Sequence, residues 1–248
     1  MKLNLLRDYN ASVLQTAQYK DYAPNGMQVE GRSDVVRIAT AVTASQHVID
    51  EAINWGADAI LVHHGYFWRN EDPCIVGIKK RRIAQLLKNE VSLLAYHLPL
   101  DAHAELGNNA LLGKLLGLHE ISRFADQNIA CLGELEVPVT LQQFAMRVND
   151  ALQRTPQVIG NLAGAIRRVA WCSGGAQGYF EAAIAQGVDV FLTGEISEQN
   201  YHLANETGVA FIAAGHHATE RLGIQALGEH LSKQFNLQHR FFDQDNPV

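Results

Sequence analysis

At 248 residues, with 47% hydrophobic and 19% charged side chains, the chain can bury a sizeable core and accommodates one large α/β domain or two ordinary ones. Its formal charge of −6 gives no overall electrostatic drive toward nucleic acid or an anionic membrane, and the local run Lys79-Lys80-Arg81-Arg82 reads as a solvated helix face. The three scattered cysteines, Cys74, Cys131 and Cys172, offer neither a disulfide framework nor a thiolate zinc site and fit a reducing cytoplasm. Lys2, Asn4, Arg7 and Asp8 interrupt the apolar positions near the start, so no signal peptide or membrane span is expected there.

Residues 2–18 have the spacing of a short amphipathic helix, and Asp21-Tyr22-Ala23-Pro24-Asn25-Gly26 has the composition of a turn. Val35 to Val42 reads as a strand, Ser45 as an N-cap, 46–55 as a helix stopped by Gly56, and Ala59 to Val62 as a second strand. A helix near 77–89, a strand from Val91 to Tyr96 and a helix near 106–116 ended by Gly117 complete a first half. Here Pro99 predicts a bend after His97 rather than a regular helical turn. Beyond 118–128 the pattern restarts with a strand from Ile129 to Val137, a helix near 140–153, and a β-turn-α-β unit from Arg168 to Thr193. A helix near 197–207, a strand from Val209 to Ala214, a long helix from about 217 to 233 and a strand from Gln238 to Phe242 follow. The alternation predicts an α/β protein with mostly parallel sheets flanked by helices.

The chain also repeats itself. Arg37–His64 aligns without a gap on Arg168–Glu195, with Arg37/Arg168, Gln46/Gln177, Gly56/Gly187 and Asp58/Asp189 among the identities. This internal duplication predicts two similar halves, 1–124 and 125–248, docked without a long linker. In parallel sheets ligands collect at the carboxyl ends of strands. His63 and His64 follow one apolar run, His97 a second and His216 a third, and a carboxylate stands four residues after each of the last two, Asp101 and Glu220. Imidazole nitrogen and carboxylate oxygen are the usual donors for zinc, iron or manganese. Four imidazoles and two carboxylates exceed the needs of one tetrahedral ion and suit two divalent ions about 3.5–4 Å apart that activate a water. The expected ligands are therefore His63, His64, His97, Asp101, His216 and Glu220, in a metal site at the interface of the halves.

Glu195 stands at the repeat position of His64. It could orient a ligand or act as a general base, or simply satisfy a helix N-terminus; with His202, seven residues on, it forms the candidate catalytic pair. His103 could support a ligand, although an exposed loop residue is the plainer reading, and His217 points elsewhere on its helix. His47, His119, His230 and His239 read as surface residues. Ser173-Gly174-Gly175-Ala176-Gln177-Gly178 could cradle an anion, but a plain tight turn fits better, since neither a P-loop nor a clean dinucleotide fingerprint is present.

Asp21-Tyr22-Ala23-Pro24-Asn25-Gly26-Met27-Gln28-Val29-Glu30-Gly31, His63-His64-Gly65, His97-Leu98-Pro99-Leu100-Asp101, Thr193-Gly194-Glu195 and Gly215-His216-His217-Ala218-Thr219-Glu220 together resemble the Nif-three-like family. Its bacterial members are labelled GTP cyclohydrolase 1 type 2 homologues, and this chain resembles their compact form without an inserted domain. The resemblance covers the whole chain and implies a duplicated α/β fold, the same six residues as ligands of a dinuclear site between the halves, and a homohexameric ring, or toroid, whose metal sites face an internal cavity. The expectation is a cytoplasmic metal-dependent hydrolase, with a purine nucleotide such as GTP one candidate substrate and phosphoester or amide substrates others. The alternative is a non-catalytic, metal-containing ring that binds a macromolecular partner such as DNA or protein. An open metal position favours the enzyme and a closed shell favours the structural role.

Overall fold

A computed structural model describes residues 1–248. Its elements in chain order are α1 (Leu3–Val13), β1 (Gly26–Val29), β2 (Arg37–Thr43), α2 (Gln46–Trp55), β3 (Ala59–His64), α3 (Gly77–Lys88), β4 (Ser92–Ala95) and α4 (Leu98–Ala102). They continue with α5 (Asn108–Leu115), β5 (Leu118–Phe124), β6 (Ala130–Thr140), α6 (Leu141–Leu152), β7 (Gln157–Ile159), β8 (Ala165–Trp171), α7 (Phe180–Ala185), β9 (Val190–Thr193), α8 (Glu198–Thr207), β10 (Ala210–Ala213), α9 (His216–Phe235) and β11 (Gln238–Phe241). No helix is long and apolar enough to cross a membrane.

The chain divides into two compact units, residues 1–106 with 223–245 and residues 107–222 with 246–248. The boundary differs from the one expected at 124/125 because strand pairing assigns the flanking segments. β5 pairs with β6 in the second unit, while β11 runs parallel to β2 in the first. The first sheet has the order β1-β4-β3-β2-β11, parallel except for β1 at its edge. The second, β5-β6-β8-β9-β10-β7, is parallel only through β8, β9 and β10. Its remaining pairs are antiparallel. The mostly parallel expectation therefore holds for the first sheet and for the repeated centre of the second, whose added strands include the short β5–β6 connection that only antiparallel neighbours allow.

The repeat is visible bond by bond. Ile38 stands opposite Ala59 in the first sheet, and Val169 opposite Val190 in the second, the same positions under the sequence alignment. Asp58 accepts from the peptide N–H groups of Val36 and Arg37 at 2.8 and 2.9 Å. Asp189 does the same for Arg167 and Arg168 at 2.8 and 2.7 Å. Each carboxylate thus satisfies two N–H groups where its first repeat strand begins, which is why aspartate stands at both places. Ser45 caps α2 by accepting from Val48 N–H, and Gly56 ends it at φ 79°.

Period-two alternation puts the strands' apolar side chains on both faces of each sheet. In the first unit Ala39, Ala41, Ile60, Val62 and Leu93 pack under α2 and α3 with Val48, Ile49, Ile83 and Leu86. On the other face Ile38, Val42, Leu61 and Leu94 meet Leu3 and Leu6 of α1 and Ile224, Leu227 and Leu231 of α9. In the second unit Val169, Trp171, Leu192 and Ile212 pack with Leu112, Phe144 and Val148 of α5 and α6. Phe180 on α7 closes an aromatic trio with Phe191 and Phe211, its ring centre 4.9 Å from that of Phe211. Truncating such a buried ring costs about 3–5 kcal/mol.

Two expectations change at the local level. Residues after His97 form a helical turn, α4, because Pro99 occupies the first turn, where a missing N–H breaks no helical bond. The peptide N–H of Asp101 reaches the carbonyl of His97 at 3.2 Å. β1, β5 and β7 were not marked as strands in the sequence; β1 and β7 are short edge strands, and β5 is mostly exposed, so none carries a clear apolar alternation.

Candidate metal-binding site

In the first unit, the carboxyl ends of β3 and β4 bring three imidazoles together. The ring centres of His63 and His64 lie 4.6 Å apart, those of His63 and His97 5.0 Å, and those of His64 and His97 5.7 Å. One nitrogen from each falls within 4.8 Å of the others, close enough for a single ion with bonds of about 2.0–2.1 Å to touch all three. Each ring is turned by its Nδ1. That of His63, fully buried, lies 2.9 Å from the carbonyl oxygen of Tyr96. A carbonyl only accepts, so Nδ1 carries a proton, and Nε2 is the nitrogen turned toward Asp101. His63 Nε2 lies 3.4 Å from Asp101 Oδ2. A buried imidazole nitrogen beside a carboxylate, with two more imidazole nitrogens within reach, is a donor set that fits a metal.

His64 Nδ1 lies 3.2 Å from Thr43 Oγ1. His97 Nδ1 lies 2.7 Å from Asp21 Oδ1, and Asn25 Oδ1 accepts from the His97 peptide N–H at 2.8 Å. Asp21 also accepts from Leu98 N–H, Asn25 Nδ2 and Tyr22 N–H. Burial alone would raise its pKa; the His97 imidazole, Asn25 and Tyr22 outweigh it and hold the carboxyl down at about 2. This is the carboxylate–histidine arrangement that fixes ligand tautomers.

In the second unit, His216 opens α9 and its Nε2 lies 3.2 Å from Glu220 Oε1, one turn on. Its Nδ1 meets Glu195 Oε1 at 2.6 Å, and Gln177 Nε2 donates to Glu195 Oε2 at 3.0 Å. Asn200 Nδ2 holds the Gln177 carbonyl at 3.0 Å. Burial opposes the charge on His216, yet Glu220 and Glu195 on its two sides raise the imidazole from 6.5 to about 9. A ring held cationic between two carboxylates marks a place where positive charge is favoured.

The loop that backs Glu220 is built to let it in. Gly174 has φ 66°, and a Cβ there would overlap Glu220 Oε1. Its N–H donates to Thr219 Oγ1 at 3.0 Å and its carbonyl accepts from Thr193 Oγ1 at 3.0 Å. Ser173 N–H goes to Asn109 Oδ1 and Ala176 N–H to Thr193 Oγ1. With the N–H groups of Ser173, Gly174 and Ala176 spent on side chains, the Ser-Gly-Gly-Ala segment is a tight turn and not an anion cradle.

A family model for Duf34/NIF3 (NGG1p interacting factor 3) matches residues 1–247. The chain belongs to the DUF34/NIF3 family. Relatives named GTP cyclohydrolase 1 type 2 homolog include one from Neisseria meningitidis serogroup B, 57% identical over 95% of this chain and 94% of its own. Another, from Escherichia coli K12, is 49% identical over 95% of each chain. Among solved structures, the structural-genomics protein ybgI, described as of unknown function, matches with a TM-score of 0.97 at 47% identity over 100% of both chains. A Thermus thermophilus protein, TTHA1606, matches with a TM-score of 0.90 at 33% identity, again over 100% of both.

In this DUF34/NIF3 chain the sheet registers refine the equivalence of the two His-x-x-x-carboxylate pairs. Ala95 pairs with Val62 and Ala213 with Thr193, so Gly215, not His216, stands where His97 does. The second loop is one residue longer. His202 is exposed on α8, its ring against Tyr201. His103 Nδ1 accepts from the N–H groups of Glu105 and Leu106 and shapes the turn after α4. His47 and His119 are exposed, as expected. His230 and His239 are half-buried rather than exposed. His230 Nε2 bonds Tyr9 Oη at 2.7 Å, and half-buried His239 bonds Thr40 Oγ1 at 2.8 Å, its pKa lowered by burial. Cys74 is exposed, Cys131 and Cys172 are buried, and none is in a disulfide. Asp21, Gln177, Thr193 and Thr219 hold site residues, although sequence reasoning gave them no such role. The signals were present: Asp21 stands four residues before Asn25 in a turn, and Gln177 is one of the repeat identities.

Proposed function

We propose that the donors of both units serve one centre of two divalent ions, iron, zinc or manganese, and that the protein is a metal-dependent hydrolase acting on a purine nucleotide. The observation that supports this most directly is the clustering of His63, His64 and His97 nitrogens within 4.8 Å of one another, with Asp101 Oδ2 3.4 Å from His63 Nε2. His216 and Glu220 alone fall short of a tetrahedral shell, whereas six pooled donors over two ions leave positions open. His63, His64, His97, Asp101, His216 and Glu220 would hold the ions. Ions so held lower the pKa of water toward about 7 and polarise the bond under attack.

Glu195 serves this reading as a positioning residue, since one of its oxygens is committed to His216 and the other to Gln177. His202 takes no part in it. The names of the relatives favour GTP as the first substrate to try, because opening its purine ring is hydrolytic. The proposal adopts the homohexameric ring in the cytoplasm that the resemblance implies. Elemental analysis should find two metal equivalents per chain in the wild type and a deficit in Asp101→Ala and Glu220→Ala. A ring-opening assay on GTP should show turnover that these substitutions abolish. Metal-free purified protein that still turns over, or equal turnover in Asp101→Ala, would refute the reading. A fully closed metal shell by X-ray absorption would favour the non-catalytic ring instead.

A further inference from the structure

Beside the first donor set stands an aromatic surface that metal coordination does not need. The Trp68 ring centre lies 5.0 Å from that of His97, edge-on at 84°, and 6.0 Å from that of His64. Tyr22 lies 6.5 Å from His97 and is nevertheless 53% exposed. The Trp68 ring and the Tyr22 backbone are tethered. Trp68 Nε1 donates to the Gly65 carbonyl at 3.2 Å, and its peptide N–H goes to Glu71 Oε2 at 3.1 Å. The Tyr22 carbonyl accepts from Arg69 N–H at 2.7 Å. Arg69 also donates from Nη2 to the Asp21 carbonyl at 3.0 Å, and its guanidinium carbon stands 5.5 Å from the centre of the Tyr22 ring. Glu71, the carboxylate that holds the Phe67 and Trp68 N–H groups, is paired with Lys79 at 3.3 Å.

An exposed ring on an anchored turn, with a second ring also against His97 and an exposed guanidinium beside it, has the chemistry to receive a flat π-system bearing negative charge. Aromatic side chains stack on any base face, and arginine pairs with phosphate oxygens through its planar fork. We propose that Tyr22, Trp68 and Arg69 form the recognition platform for a nucleotide, whose base stacks on the aromatic rings while its phosphate meets Arg69. The proposal rests on the nucleotide-hydrolase reading above and names the residues that give that site its substrate. It also gives the exposed turn at Tyr22 a task separate from Asp21, which orients His97.

Calorimetric titration of GTP, guanosine and inorganic tripolyphosphate into the full chain, metal-loaded and after chelation, tests it. Tyr22→Ala should weaken GTP and guanosine together by on the order of tenfold, and Tyr22→Phe should retain wild-type affinity. Arg69→Gln should weaken GTP and tripolyphosphate and leave guanosine nearly unchanged. Metal content should be the same in all variants, since none of these residues is a proposed ligand. Wild-type GTP affinity in Tyr22→Ala, or tripolyphosphate bound as tightly as GTP by every variant, would overturn the platform. Chelated protein separates the two ideas. Tyr22-dependent GTP binding without any metal-dependent turnover upholds the platform and sinks the hydrolase, while turnover of a substrate whose binding ignores Tyr22 does the reverse.

Discussion

Gly174→Ala tests whether the place of the Glu220 carboxylate is set by its neighbours. Two costs are combined in that substitution. The first is backbone strain, since φ is 66° and alanine loses about 1 kcal/mol relative to glycine in the left-handed region. The second is steric. The new methyl would overlap Glu220 Oε1, approach its Cδ to 3.1 Å and come within 3.2 Å of His216 Nε2. Glu220 is only 3% exposed, so its carboxylate must withdraw by about 1 Å in a packed place, twice the roughly 0.5 Å that a binding constellation tolerates. Gly187→Ala isolates the first cost, because φ there is 69° and nothing lies within 4 Å of the added carbon. Urea unfolding should show about 1 kcal/mol lost for Gly187→Ala and more for Gly174→Ala. Metal affinity by competition with a chelator should fall by about 10–100-fold in Gly174→Ala alone. Shortening the neighbour, in Gly174→Ala with Glu220→Asp, should recover stability but not metal. Equal metal affinity and equal unfolding midpoints in the two single variants would refute the reasoning.

Asp21→Asn should leave the fold intact and reduce metal affinity by about 10–100-fold through loss of His97 orientation, read by the same chelator competition; unchanged affinity would remove Asp21 from the site. The metal-free protein should weaken as pH rises. The His216 imidazole is raised from 6.5 to about 9 in the fold, so its stabilisation is complete below 6.5 and is lost through about 9. Urea midpoints at pH 6 and pH 9.5 measure this, and Glu195→Gln should flatten the difference. Asp58→Ala strands two N–H groups beside a buried carboxylate position and should cost about 1–3 kcal/mol in urea unfolding, with Asp189→Ala costing less because Asp189 is more exposed than Asp58. The opposite order would show that the two clamps are not equivalent.

The repeated β-turn-α-β unit was legible because its signals are local. Ser45, Gly56 and the apolar alternation of Ile38 to Val42 each act within a few residues, and the helix expected at 46–55 is α2 to the residue. β7 was not legible, since three residues at a sheet edge carry no period. The antiparallel share of the second sheet is a matter of pairing across distance, as between β6 and β8, which no window of sequence reports. The candidate donors could be found because they cluster at strand ends. Their supports could not be read the same way. Asp21 reaches His97 across 76 positions, and Gln177 reaches Glu195 across 18. Pro99 misled because its effect depends on where in a helix it falls.

The aspartate clamps and matching registers say that both units use one plan, yet the plan ends in His64 in one and Glu195 in the other. Two identical subunits related by a twofold axis must present the same side chain twice. A covalent tandem copy is free of that constraint. One copy carries an imidazole at the strand tip, and the other an acid that steers a histidine nearby. Exchanging the two endings would take the acid away from His216 in one unit and the imidazole away from His63 and His97 in the other.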